Sequence, residues 1–147
     1  MMSNVRTCLS QKANILHSVA PDDSVKDALQ KMRDNRVRAI LVIEQGDLVG
    51  IVSQGDCAIK VLLPGKDAGE TSIRSVMTRD PITVSEADDL DHCMAIMASR
   101  NIRHLPVARG SKVVGVISIG DIVKNIIEQQ GDQIKFLETY IRGHGAS

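Results

Sequence analysis

The phrase GIVSQGD at residues 50–56 returns as GVISIGD at residues 115–121. A fixed internal period constrains a fold more than any single motif, because a duplicated unit must be one that packs against its own copy. At an offset of sixty-five residues, positions 17–57 lie on 82–122 without a gap, and ten positions are identical. They include Asp23/Asp88, Met32/Met97, Arg38/Arg103, Gly50/Gly115, Ser53/Ser118, Gly55/Gly120 and Asp56/Asp121. Other pairs keep their apolar character, such as Val37/Ile102, Ile40/Leu105 and Ile51/Val116. The phrase is therefore the end of a longer repeated unit.

Each copy reads as β-α-β-β-α. A short extended entry, LHSVA or PITVS, leads to an acidic helix start, DDS or ADD. Apolar residues then recur at helical spacing: Val25, Ala28, Leu29 and Met32, then Leu90, Cys93, Met94 and Met97. A hairpin follows in each copy, AILVI-EQGD-LVGIVS and HLPVA-RGSK-VVGVIS, and the phrase opens a second helix. Pro106 falls inside the first strand of the second hairpin and predicts an edge or a bulge. LPGKDAGETS is a linker between the copies, SIRSVMT a short helix, and GDQIKFLETYIRG a terminal amphipathic helix. A unit of this size has too small a core to stand alone, so the two must pack sheet to sheet about a pseudo-twofold axis, with two equivalent clefts. The division expected is 10–65, 66–130 and a tail at 131–147.

The bulk numbers exclude several functions. A net charge of zero over 147 residues lacks the basic footprint of a nucleic-acid binder, and one Tyr, one Phe and no Trp leave nothing for base stacking. Three cysteines without CxxC spacing fit a reduced, cytoplasmic protein. No apolar run is long enough for a membrane span. His17 and His92 lack partners at metal-ligand spacing, and no nucleophile–base–orienter set is present, so neither a metal site nor a catalytic residue is expected. Cys57 and Cys93 read as small packing residues rather than reactive thiols.

Two readings of the phrase stay open. Ser53-x-x-Asp56 and Ser118-x-x-Asp121 are each a capping box, which needs no ligand. They also juxtapose a hydroxyl and helix-end N–H groups suited to phosphate with a carboxylate suited to a ribose diol. Gly55 and Gly120 let a ligand approach the backbone. Arg38 in one copy and Arg103-His104 in the other begin the neighbouring strand in register and supply cations, which a plain cap does not explain.

The duplicated unit, VMTRDPITV, IRHLPV and the two phrases together resemble a cystathionine-β-synthase (CBS) domain pair, or Bateman module, over roughly residues 10–130, and in particular the stand-alone bacterial members. The resemblance implies an α+β tandem pair that binds adenosine compounds (AMP, ATP or NAD(H)), dimerises, has no chemistry of its own and regulates a downstream protein that the sequence does not name. It implies that Asp56 and Asp121 hold ribose hydroxyls, and that Ser53, Ser118, Arg38, Arg103 and His104 meet phosphate. The base would lie against the other unit's entry: Pro81, Ile82 and Thr83 in the first cleft, and Leu16, His17 and Ser18 in the second. The family's Glu-Arg pair in the first phrase is replaced by Gln54-Gly55, which favours the second cleft. Homodimer contacts are expected from helix faces 25–32 and 90–97 and from Ile134–Ile141; a structural module with empty clefts is the alternative.

Overall fold

A computed structural model describes residues 3–11 and 15–130. The predicted terminal helix at 134–141 lies outside them. The chain runs α1 (Val5–Ser10), β1 (Ser18–Val19), α2 (Val25–Asn35), β2 (Ala39–Glu44), β3 (Asp47–Ser53) and α3 (Gln54–Cys57), which continues as a π-turn over Ala58–Leu62. A 3₁₀ turn (Ile73–Ser75) and β4 (Thr78–Arg79) lead to α4 (Leu90–Arg100), β5 (His104–Arg109), β6 (Lys112–Ser118) and α5 (Ile119–Gln129). The architecture is α+β; the β-α-β-β-α order is met in the first half, while in the second the entry strand is reduced to an isolated bridge at Val84.

The acidic helix starts act as caps. Ser24 accepts a hydrogen bond from the Asp27 amide, and Asp89 accepts one from the His92 amide. Both helices end on a left-handed residue, Arg36 (φ 56°) and Asn101 (φ 54°), which turns the chain back into its strand. The apolar faces of α2 and α4 are consumed at once: Val25, Ala28 and Met32, and Leu90, Cys93 and Met97, are buried in their own units' cores. The expected dimer contact through these two faces is therefore corrected, because intra-unit packing uses them.

β1 to β4 form one sheet in that order, and β5–β6 form a second. The hairpins match residue for residue: Ala39 faces Ser53 as His104 faces Ser118, with a bulge after Val42 in one and after Val107 in the other. The entry strands differ, and Pro106 is the cause. In the first unit the Leu41 amide donates to the His17 carbonyl at 3.2 Å, and Ser18 and Val19 pair along β2. The equivalent donor would be residue 106, which as proline has no N–H. The second entry is held instead by a single bridge, Val84 to Val107.

The two cores exchange segments. Ile73, Val76 and Met77, from beyond the linker, pack among Val25, Met32, Ile40 and Val52 of the first unit. Val5, Cys8 and Leu9 of α1 pack among Leu90, Leu105, Ile117 and Ile122 of the second. Backbone bonds fix both crossings: the Ile73 amide to Asp23 (2.9 Å) and the Val5 amide to Asp88 (2.8 Å). The linear division near residue 66 is thus crossed by packing in both directions.

Gly50 shows how tight the first crossing is. A Cβ built there would meet Met77 Sδ at 2.6 Å and the Thr78 carbonyl oxygen at 3.0 Å. The second contact is backbone and cannot rotate away. Gly50→Ala is expected to cost about 1–3 kcal/mol, as overpacking in a closed core does. Urea unfolding of the two proteins checks this, and an unchanged midpoint would contradict the close approach.

Candidate functional site

Both phrases end a strand and start a helix by the same device. The Ser53 hydroxyl accepts from the Asp56 amide (3.1 Å) while Asp56 Oδ2 accepts from the Ser53 amide (3.0 Å). At the second phrase the corresponding distances are 3.1 and 2.9 Å. The next amide is also taken: Gln54 N–H donates to the Arg38 carbonyl and Ile119 N–H to the Arg103 carbonyl, each at 3.0 Å. Of the first three helical amides, only those of Gly55 and Gly120 are not used by the cap. The helix ends offer a ligand fewer N–H groups than their sequence suggests, but the one offered lies on a glycine, where nothing hinders approach.

The halves then diverge. The Ser53 hydroxyl also lies 3.1 Å from Asp56 Oδ2, and Lys60 Nζ lies 3.4 Å from Asp56 Oδ1. Lys60 is itself tied to the Val76 carbonyl at 2.9 Å. No matching hydroxyl-to-carboxylate bond is made by Ser118, whose proton stays available to a phosphate oxygen. The position equivalent to Lys60 is Asn125, which is buried and donates from Nδ2 to Gln11 Oε1 of α1 at 2.8 Å. The Cys8 thiol of α1 reaches the Asp121 carbonyl at 3.7 Å, so α1 supports the second phrase from behind.

Each phrase opens onto a cleft completed by the other unit. The first cleft, about 550 Å³, is bordered by Ser53, Gly55 and Asp56, by Pro81 and Ile82 of the other unit's entry, and by Arg100, Asn101, Arg103 and His104. The second, about 430 Å³, is bordered by Ser118, Gly120 and Asp121, by Ile15, Leu16 and His17, and by Arg36 and Arg38. Both volumes suit a small-molecule ligand. Arg38, Arg103 and His104 border both clefts. Neither arginine forms an ion pair with a described carboxylate.

Of the residues expected from the sequence, Ser18 and Thr83 border neither cleft. Ser18 already belongs to β1, with its carbonyl taken by Lys31 Nζ at 2.9 Å, and Thr83 leads into the Val84 bridge. Arg36, Arg100 and Asn101 border the clefts and were not anticipated. Their signal lay in the helix ends: each helix must stop and reverse beside the strand that carries Arg38 or Arg103.

The thiols are not built for reaction. Burial, and next the Asp56 charge, push the Cys57 thiol above its ordinary value. Burial, then Asp88, Asp89 and Cys8, push Cys93 up to about 11. No disulfide links the three cysteines, and all three are buried. Among the described residues there is no His/Cys/Asp/Glu group that could hold a metal, and no helix is long and apolar enough to cross a membrane.

The family model for the CBS domain matches residues 13–62 and 73–128. The mitochondrial CBS domain-containing protein CBSX3 of Arabidopsis thaliana is 31% identical over 127 residues, which is 83% of this chain and 62% of that protein. The chain thus spans less than two thirds of that relative's length. The crystal structure of the CBS domain of NE2398 is 37% identical and superposes with a TM-score of 0.82, covering 86% of this chain and 99% of that one. The CBS domain pair of MJ0100, solved with 5′-methylthioadenosine and S-adenosyl-L-methionine, is 24% identical with a TM-score of 0.78, covering 88% and 99%. This last likeness is one of fold.

Two outcomes follow from the site's construction. Ser118→Ala removes the acceptor for the Asp121 amide and is expected to lower stability by about 0.5–2 kcal/mol, whereas Asp121→Asn keeps an acceptor for the Ser118 amide and is expected to be mild. Denaturant titration checks both; equal losses would show that the box is held by charge. Cys57 and Cys93 are expected to resist alkylation by iodoacetamide at neutral pH in the folded protein, because the reactive thiolate is scarce, with Cys93 gaining reactivity only as the pH nears about 11. Mass spectrometry of the labelled peptides reads this; rapid labelling of either would refute it.

Proposed function

The chain belongs to the CBS-domain family, and we propose that it binds adenine nucleotides in its two clefts and serves as a non-catalytic energy or redox sensor. The observation that carries this reading is the composite character of each cleft. A Ser-x-x-Asp helix start from one unit and the apolar entry of the other border one cavity, together with two arginines that pair with no described carboxylate. A ribose diol finds a carboxylate, a phosphate finds a guanidinium, a hydroxyl and a glycine amide, and a purine finds Leu16 or Pro81-Ile82. The same architecture takes adenosine compounds in MJ0100, which supports this class over guanine or pyrimidine nucleotides. AMP, ATP and NAD(H) all meet these requirements. A ligand that touches both units shifts their packing only in so far as it binds one arrangement better, and that shift would be read by a downstream protein. Three buried cysteines with no disulfide between them fit a reducing compartment such as the cytoplasm.

A homodimer is part of the proposal, through a different surface from the one the sequence suggested. Ile59, Leu62 and Leu63 on one helical end and Ile119, Val123 and Ile127 on α5 remain exposed, Leu62 at 77%. Leu62 and Ile127 are equivalent positions of the repeat, so a twofold partner would cover both patches with one self-complementary contact.

Ligand at about a hundred times its Kd should stabilise the protein by about 2.7 kcal/mol, a rise of a few degrees in Tm. Asp121→Asn should instead weaken AMP binding at the second cleft by about tenfold or more, since a charge-assisted bond contributes about 1.5–3 kcal/mol. Calorimetry with AMP, ATP, NADH and GMP measures both. An unshifted Tm with every adenine nucleotide would favour the alternative, a structural module in which the phrases are caps and nothing more.

A further inference from the structure

We propose that the two clefts are negatively coupled for phosphate-bearing ligands, because they share two of their arginines. The inference rests on the nucleotide reading above and adds to it a rule for how the second ligand binds. Arg38 and Arg103 border both cavities, with His104 beside them. Neither guanidinium is neutralised by a described carboxylate, so both are free to turn to a ligand. A phosphomonoester carries about −1.5 to −2 charges at neutral pH. Beyond the shared pair each cleft has one arginine of its own, Arg100 in the first and Arg36 in the second. The first anion to arrive engages the shared arginines, and the second is left chiefly with its own cleft's single guanidinium.

The backbone reinforces this. The Arg38 carbonyl accepts the Gln54 amide and the Arg103 carbonyl accepts the Ile119 amide, each at 3.0 Å. Each arginine is thereby anchored by its backbone to the helix start of its own unit's cleft, and it borders both clefts. A guanidinium drawn toward one phosphate must leave the other. By linkage the penalty is the same whichever cleft fills first. The second cleft is expected to fill first, because the Ser118 hydroxyl proton makes no described bond whereas that of Ser53 is held by Asp56 Oδ2.

The test fills one cleft with an uncharged side chain and measures the other. Gly120→Leu suits it: a Cβ at Gly120 meets nothing closer than Ser118 Oγ at 3.6 Å, so the helix accepts it while the side chain occupies the second cleft. AMP is titrated into the full-length nitrogen-labelled protein, and the Gly55 amide resonance reports the first cleft. The first cleft is expected to bind AMP about tenfold more tightly in Gly120→Leu than in the wild type, within the usual range of coupling between sites. The gain should shrink at about 0.5 M KCl, where the screening length falls well below that of physiological salt. Uncharged adenosine should show no gain. If Gly120→Leu fails to give a folded amide spectrum, Ile119→Trp, at an exposed position on the same cleft, serves in its place. Unchanged AMP affinity in the first cleft would overturn the coupling and leave nucleotide binding intact. An equal gain with adenosine would also overturn it, since charge would not be the carrier. Absence of AMP binding at either cleft would overturn both readings.

Discussion

Neither core closes without a piece of chain from the far side of the repeat. The first unit needs Ile73, Val76 and Met77, and the second needs Val5, Cys8 and Leu9. This exchange makes the pair one cooperative object rather than two beads. It also fixes the clefts. The segment that leaves the first core through β4 runs straight on to Pro81 and Ile82, the wall of the first cleft. The helix that enters the second core rests on the Asp121 carbonyl, at the floor of the second. A change in packing at either crossing is therefore felt at a ligand-bordering residue within a few positions.

Within that frame the Ser-x-x-Asp phrase has two uses that do not exclude one another. Its capping bonds consume one carboxylate oxygen, the Ser-Oγ acceptor site and two of the first amides. The groups left over include a glycine amide and, at Ser118, a hydroxyl proton that makes no described bond. In the first unit Lys60 lies against Asp56 Oδ1, whereas its counterpart Asn125 turns to Gln11, so the two phrases, nearly identical in letters, differ in their surroundings.

Much of this was legible in the sequence because duplication reports on itself. The sixty-five-residue offset fixed which residues are equivalent, and equivalence exposed the Arg38/Arg103 register that a single motif would have hidden. Helical periodicity found the buried faces of α2 and α4. It could not say what those faces pack on, since an amphipathic stripe looks the same against its own sheet or a partner. The segment exchange was not legible for the same reason: IRSVM reads as a short apolar helix wherever it docks. Neither Arg36 nor its counterpart Asn101 was anticipated, although asparagine carries a left-handed turn signal that arginine lacks. The resemblance set the base against each entry as a whole, but Ser18 is already the first residue of β1 and Thr83 directly precedes the Val84 bridge, so neither borders a cleft.

Pro106 gives the molecule a handedness that its repeat alone would lack. One missing N–H reduces a paired strand to a single bridge, so the wall of the first cleft is tethered by fewer bonds than the wall of the second. The two halves have drifted into a front and a back. Arithmetic on residue numbers then stops being a guide to behaviour: the effect of a substitution at one position cannot be transferred to its twin by adding sixty-five.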